Sequence, residues 1–117
     1  MRQDYDSAIH LFPAIDPYDS GYFERDNHEI YYEQIGNPCG KVVLFLHGGP
    51  GAGCSPAHRR LFDPTKFRVI FIDQRGSGRS KPYGSTSNNT TQHLMSDINY
   101  LRQSLKIDKW ALFGGSW

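Results

Sequence analysis

The chain has 117 residues and a formal net charge of +1, with 13 Lys and Arg set against 12 Asp and Glu. So even a balance supplies no field to gather nucleic acid or an anionic membrane surface. The length allows one domain or part of one, and at a mean hydropathy of −0.60 no stretch approaches the ~18–20 apolar residues of a membrane-spanning helix.

Residues 1–15 are polar and mixed in charge, without the basic start and the apolar run of about 7–15 residues that mark an export signal, so a cytoplasmic protein is expected. From residue 21 to residue 36 aromatic and polar side chains alternate about Asp26-Asn27, the pattern of an antiparallel hairpin at the edge of a sheet with one solvated face. Lys41 to Leu46 and Phe67 to Ile72 are continuous apolar runs instead, as in strands covered on both faces. Residues 56–62 predict a short helix between them, ahead of Asp63-Pro64. The Ser/Thr/Asn-rich residues 84–91 predict a loop. Asn89 and Thr90 are candidate caps for a helix with Leu94, Ile98, Leu101 and Leu105 at helical spacing, which leads to a third buried strand at residues 110–113. This order predicts an α/β fold: an antiparallel hairpin leading into a mostly parallel sheet with helical crossovers.

In such a sheet ligands bind beyond the carboxyl ends of the strands, and a glycine-rich segment follows each apolar strand here. His47-Gly48-Gly49-Pro50-Gly51 can turn sharply and aim backbone N–H groups at a developing oxyanion. It is not a phosphate loop, because Cys54-Ser55 stands where Lys-Ser/Thr is required, and no G-x-G-x-x-G occurs. The second segment runs from Asp73 to Ser80, where Asp73, Arg75 and Arg79 are assigned to holding the loop together rather than to chemistry. The third is Gly114-Gly115-Ser116-Trp117, a candidate nucleophile elbow in which Gly114 supplies the small residue two positions before the serine.

The remaining chemistry-bearing residues point elsewhere only weakly. Cys39 and Cys54 are expected to be reduced thiols. His10, His28, His47, His58 and His93 lack metal-ligand spacing, so neither a metal nor a cofactor is expected.

Taken together, H-G-G-P-G-x-G-C at 47–54, Pro56 with Arg59-Arg60, Phe62-Asp63-Pro64, D-Q-R-G-x-G-R-S at 73–80, Asn89-Thr90-Thr91 and G-G-S-W at 114–117 resemble the proline iminopeptidases of the α/β-hydrolase superfamily. The match is dense from about residue 21 onward; Ala52 and Gln92 depart from it at positions that touch no reacting group. The resemblance implies Ser116 as nucleophile and the backbone N–H groups of Gly49 and Trp117 as the oxyanion hole; His47 is not the family's catalytic histidine. It also implies that residues 1–117 are the N-terminal portion of one catalytic domain, ending at the elbow, with the triad Asp and His and a helical cap to follow. The implied activity of the full-length enzyme is release of N-terminal proline from peptides through an acyl-enzyme. The alternatives are an esterase or lactonase of the same fold, or a non-catalytic remnant. An Asp-nucleophile dehalogenase or epoxide hydrolase is disfavoured by the serine.

Overall fold

The computed structural model describes residues 11–48 and 53–114. Strands β1 (Asp19–Arg25) and β2 (His28–Gly36) form the hairpin, with Arg25 opposite His28. Asp26 and Asn27 make the turn at φ 50° and 65°. Two left-handed residues in a two-residue loop match the twist of the flanking strands, and Asp and Asn tolerate that conformation better than most side chains.

Three further strands follow: β3 (Lys41–Leu46), β4 (Phe67–Ile72) and β5 (Ala111–Gly114). The sheet order is β1-β2-β4-β3-β5. The first two pairings, β1 with β2 and β2 with β4, are antiparallel, whereas β3 runs parallel to both β4 and β5. The sheet is therefore mixed, with the predicted hairpin at one edge and the predicted parallel strands beside it.

Apolar runs without alternation are explained by the two faces they serve. Leu44, Ile70 and Ile72 join Ile30 on one face, where helix α1 (Thr91–Ser104) lays Ile98 and Leu101 against them. Phe45, Val69 and Phe71 join Ile35 and Cys54 on the other, where Phe62 and Phe67 pack. The segment predicted as a short helix is a 3-10 helix, Pro56–Leu61, on this second face. Helix α1 starts as predicted, but Thr90 alone is its cap: His93 N–H donates to Thr90 Oγ1 (3.2 Å) and Thr90 N–H donates back to His93 Nδ1 (3.1 Å). Asn89 instead donates from Nδ2 to the carbonyls of Arg75 (2.8 Å) and Ser85 (3.0 Å).

One expectation is corrected. The third apolar strand forms at its predicted place, yet it is not buried: Leu112 is 56% and Phe113 47% exposed. Among the described residues β5 pairs only with β3, and no element covers its flank. Phe113 still touches Phe62, with ring centroids 5.3 Å apart.

Candidate active site

The register brings together the strand ends that precede the three glycine-rich segments. Leu46, the last residue of β3, lies between Ile72 of β4 on one side and Gly114 of β5 on the other. The carboxyl ends of the three parallel strands thus finish in one row, and the chain leaves that row at His47, at Asp73 and just past Gly114. The row is the position at which open α/β sheets bind ligands.

Two of these exits are bound to each other. Gln74 donates its backbone N–H to His47 Nε2 (3.1 Å) and its side-chain Nε2 to the His47 carbonyl (3.1 Å). Asp73, completely buried, accepts the Cys54 N–H on Oδ1 (2.7 Å) and the Arg79 N–H and Nε on Oδ2 (2.9 and 3.0 Å). Arg79 Nη2 donates to the Cys54 carbonyl (3.2 Å). Ser80 closes the loop, donating from Oγ to the Asp73 carbonyl (2.5 Å) and accepting the Tyr31 N–H (2.9 Å). Gly53 and Gly78 both have positive φ, at 75° and 53°, which suits residues without a Cβ.

Charge is neutralised within this framework. Glu33 of β2 is 1% exposed and accepts from Arg59 Nε (2.7 Å) and Nη2 (3.0 Å), Arg79 Nη1 (3.2 Å) and Tyr31 Oη (2.9 Å). The Arg79 guanidinium also lies over the Tyr31 ring, 3.9 Å from its centroid, and burial together with the Glu33 contact raises the Tyr31 pKa. Arg75 makes a bidentate pair with Asp97 of α1 (2.7 and 2.8 Å) and reaches Asp26 in the hairpin turn (2.9 Å) and the Asn88 carbonyl (2.7 Å). One guanidinium therefore ties together the loop, the helix and the hairpin. Burial pushes the Cys54 thiol far up, with the Asp73 and Glu33 charges adding to it, so this cysteine stays a neutral packing group.

Asp73, Arg75 and Arg79 thus hold the loop together, in the role the sequence suggested. Cys39 and Cys54 are both unpaired. Ser116, Gly49 and Trp117 lie outside the described residues; Gly48 and Gly114 are their nearest described neighbours. A Cβ on Gly114 would meet only the Leu46 carbonyl oxygen, at 4.0 Å, so no described residue requires glycine at that position. Among the described residues no cluster of His, Cys, Asp or Glu could hold a metal ion, and no helix is long and apolar enough to cross a membrane. A cleft of about 460 Å³ between α1 and β5, lined by Met95, Ile98, Trp110 and Leu112, sits away from the carboxyl-end row.

Sequence reasoning missed Glu33, Gln74 and Asp97. Asp97 carried a signal: three residues after Leu94 and four before Leu101, it falls on the apolar stripe of its helix, where a carboxylate needs a cation. Glu33 shares a strand face with Ile35 and makes the same demand.

The fold and the row of strand ends define an α/β protein whose parallel strands finish side by side at one edge of the sheet. More particularly, the chain belongs to the α/β-hydrolase fold family, whose model matches residues 41–117. It is 56% identical over 108 residues to a probable proline iminopeptidase of Leptolyngbya boryana and 52% identical to a proline iminopeptidase of Xylella fastidiosa, in both cases across 92% of this chain and 34% of the relative. The chain spans about a third of the length of the curated relatives it matches. Among solved structures, a proline iminopeptidase-related protein from Thermus thermophilus superposes with a TM-score of 0.71 at 32% identity, over 86% of this chain and 36% of that one. An epoxide hydrolase from Vigna radiata gives 0.68 at 31% identity, over 85% and 32%.

Proposed function

We propose that residues 1–117 are the N-terminal portion of the catalytic domain of a serine aminopeptidase that releases N-terminal proline from peptides. Ser116 attacks the carbonyl carbon of the proline residue, helped by a histidine base that an aspartate orients, both supplied by chain beyond this sequence. The N–H groups of Gly49 and Trp117 stabilise the oxyanion, each worth on the order of 2.7–4 kcal/mol. Loss of the leaving amine gives an acyl-enzyme, and water then frees proline. The mechanism requires no metal or cofactor, and the 117 residues by themselves are catalytically silent.

The observation that carries this reading is the single row formed by Ile72, Leu46 and Gly114. In sequence, Gly49 is three residues past one member of that row and Ser116 two residues past its neighbour. The relatives named proline iminopeptidase support the substrate class. A cytoplasmic setting is part of the proposal, supported by two cysteines that remain unpaired.

The test uses the full-length protein. An organophosphonate should label Ser116, and Ser116→Ala should abolish turnover. Proline anilide should be cleaved in preference to acetyl-proline anilide and to a short-chain ester. Labelling at another residue would remove the nucleophile assignment, and a higher kcat/KM for the ester would remove the peptidase assignment in favour of an esterase.

A further inference from the structure

Strand β1 ends the sheet, and among the described residues it pairs only with β2. Which of its polar groups face outward follows from β2. The Tyr31 carbonyl accepts the Asp73 N–H (3.0 Å), Glu29 exchanges both backbone bonds with Lys81 (2.9 and 2.8 Å), and the Asn37 N–H reaches the Phe67 carbonyl (2.9 Å). The odd-numbered residues of β2 therefore turn their backbone groups toward β4, and the even-numbered ones turn theirs toward β1. The register then sets Gly21, Phe23 and Arg25 to bond inward, so Ser20, Tyr22 and Glu24 present their N–H and C=O groups to the open side. The segment ahead of β1 runs elsewhere: the Phe12 N–H is bound to the Arg60 carbonyl of the 3-10 helix (2.9 Å). An open edge is a template for another strand, and β1 carries neither the proline, the lysine nor the bulge that blunts such edges.

The strand is also complementary to itself. Laid antiparallel to its own copy about Tyr22, Asp-Ser-Gly-Tyr-Phe-Glu-Arg sets Tyr22 opposite Tyr22, Ser20 opposite Glu24 and Asp19 opposite Arg25. In this register every outward residue meets another outward residue. A slide of one residue sets outward groups against inward ones, and a slide of two leaves one outward residue unmatched. Asp19 and Arg25 enter none of the ion pairs among the described residues, although they stand at the two ends of this one edge. Tyr22, at its centre, is 45% exposed and props its ring edge-on against Tyr31, with centroids 5.3 Å apart.

We propose that the open edge of β1 is a dimer interface between two copies of this chain. The two β1 strands pair antiparallel about Tyr22, Asp19 of each copy meets Arg25 of the partner subunit, and the two sheets continue as one. The interface is independent of the catalytic reading above.

The test follows the full-length protein by sedimentation velocity over a concentration series, in a Cys39→Ser background that removes the exposed thiol. A concentration-dependent equilibrium between monomer and dimer is expected. Asp19→Arg or Arg25→Asp sets like charges together at both ends of the ladder and should weaken the dimer on the order of 10-fold, and the two combined should restore it. Tyr22→Pro removes an outward N–H without taking a bond from β2, so it should give a folded monomer. If that variant fails to fold, the charge reversals decide. Oxidation reads the register: Tyr22→Cys places two thiols on Cα atoms about 5.5 Å apart and should yield a disulfide-linked dimer, whereas Glu24→Cys, which faces Ser20, should not. A protein that is monomeric at every concentration overturns the proposal, since the edge is then covered by another part of the chain or left open. A dimer indifferent to the charge reversals, or linked through Glu24→Cys and not through Tyr22→Cys, overturns it as well.

Discussion

Gly53 and Gly78 lie back to back: a Cβ on Gly53 would fall 2.7 Å from the Gly78 Cα, and one on Gly78 would fall 2.6 Å from Asp73 Oδ2. The two loops meet there with no space for a methyl group, and both residues also hold positive φ. Gly78→Ala is therefore expected to destabilise the full-length protein by more than the roughly 1–2 kcal/mol that a left-handed alanine costs, because the Asp73 hydrogen bonds must also shift. Gly84→Ala is the control. Its φ is 77° but nothing lies within 4 Å of the added carbon, so it should show the conformational cost alone in urea unfolding.

The Arg75–Asp97 pair gives a second prediction. Both side chains are almost completely shielded, at 1% and 2% exposure. Arg75→Met leaves the Asp97 carboxylate buried without its cation and should cost about 3–5 kcal/mol. Arg75→Met combined with Asp97→Leu should recover part of that loss, since the stranded charge is gone. Chemical denaturation of the two single variants and the double variant checks this, and a double variant less stable than both singles would contradict it.

Asp26 makes the pH-dependent contact of the same guanidinium. Its hydrogen bond from Arg75, with the guanidinium charge behind it, holds the carboxyl below its ordinary range. A depressed folded-state pKa contributes stability that is present above the unfolded value, about 3.9, and is lost as pH falls through the folded value. The Tm difference between wild type and Asp26→Asn should accordingly be constant above about pH 5 and shrink as the pH drops below about 4. A difference that widened in acid would have the wrong sign.

The cysteines should separate cleanly by reactivity. Cys39 is exposed and Cys54 buried, and burial raises the Cys54 thiol far above neutrality. Iodoacetamide at pH 8 should alkylate the Cys39 peptide of the native protein and spare the Cys54 peptide, which becomes labelled only after denaturation. Peptide mapping by mass spectrometry reads both sites in one sample.

Residues 1–117 expressed alone are expected to aggregate and to show no turnover, whereas a chain of the relatives' length should unfold cooperatively and cleave proline anilide. The cause lies in β5, with Leu112 and Phe113 about half exposed beside an edge that no described strand pairs. Side-by-side thermal unfolding, light scattering and anilide hydrolysis test this. A monomeric short chain with turnover would require a different catalytic assembly.

Much of the framework was legible from local pattern. Asp26-Asn27 between alternating runs marked the hairpin, and Leu94, Ile98, Leu101 and Leu105 marked the face that α1 buries. What depended on distant partners was not. Glu33 meets Arg59 and Arg79, 26 and 46 residues away, and no local rule pairs them. The cap on α1 was half visible: Thr90 is an ordinary N-cap, but a histidine at the third helical position is not the Glu or Gln of the usual capping box. The exposure of β5 follows from what flanks it, because apolar composition reports what a strand can bury, not whether a neighbour is there to cover it. In the candidate site the motifs pointed to Ser116, Gly49 and Trp117, while the bonds from Gln74 to His47 follow from the parallel register of β3 and β4, which brings residues 27 apart in sequence side by side.

Strand β4 is made after β3 yet sits between β2 and β3. During synthesis the edges of β2 and β3 that β4 will join must therefore stay open until Ile72 has emerged from the ribosome, and Tyr32 must find Ile72 across 40 residues of chain. The four residues 37–40 are short enough to invite the wrong partner, a direct hairpin between β2 and β3. What opposes that trap is built into the turn: the Asn37 N–H is claimed by the Phe67 carbonyl (2.9 Å) and the Lys41 N–H by the Lys66 carbonyl (3.1 Å), so the arriving strand wedges the two apart. Slow, late-committing assembly is the expected kinetic character of such a topology. A translational pause placed after Ile72 would give β4 time to enter before the exposed β5 sequence appears.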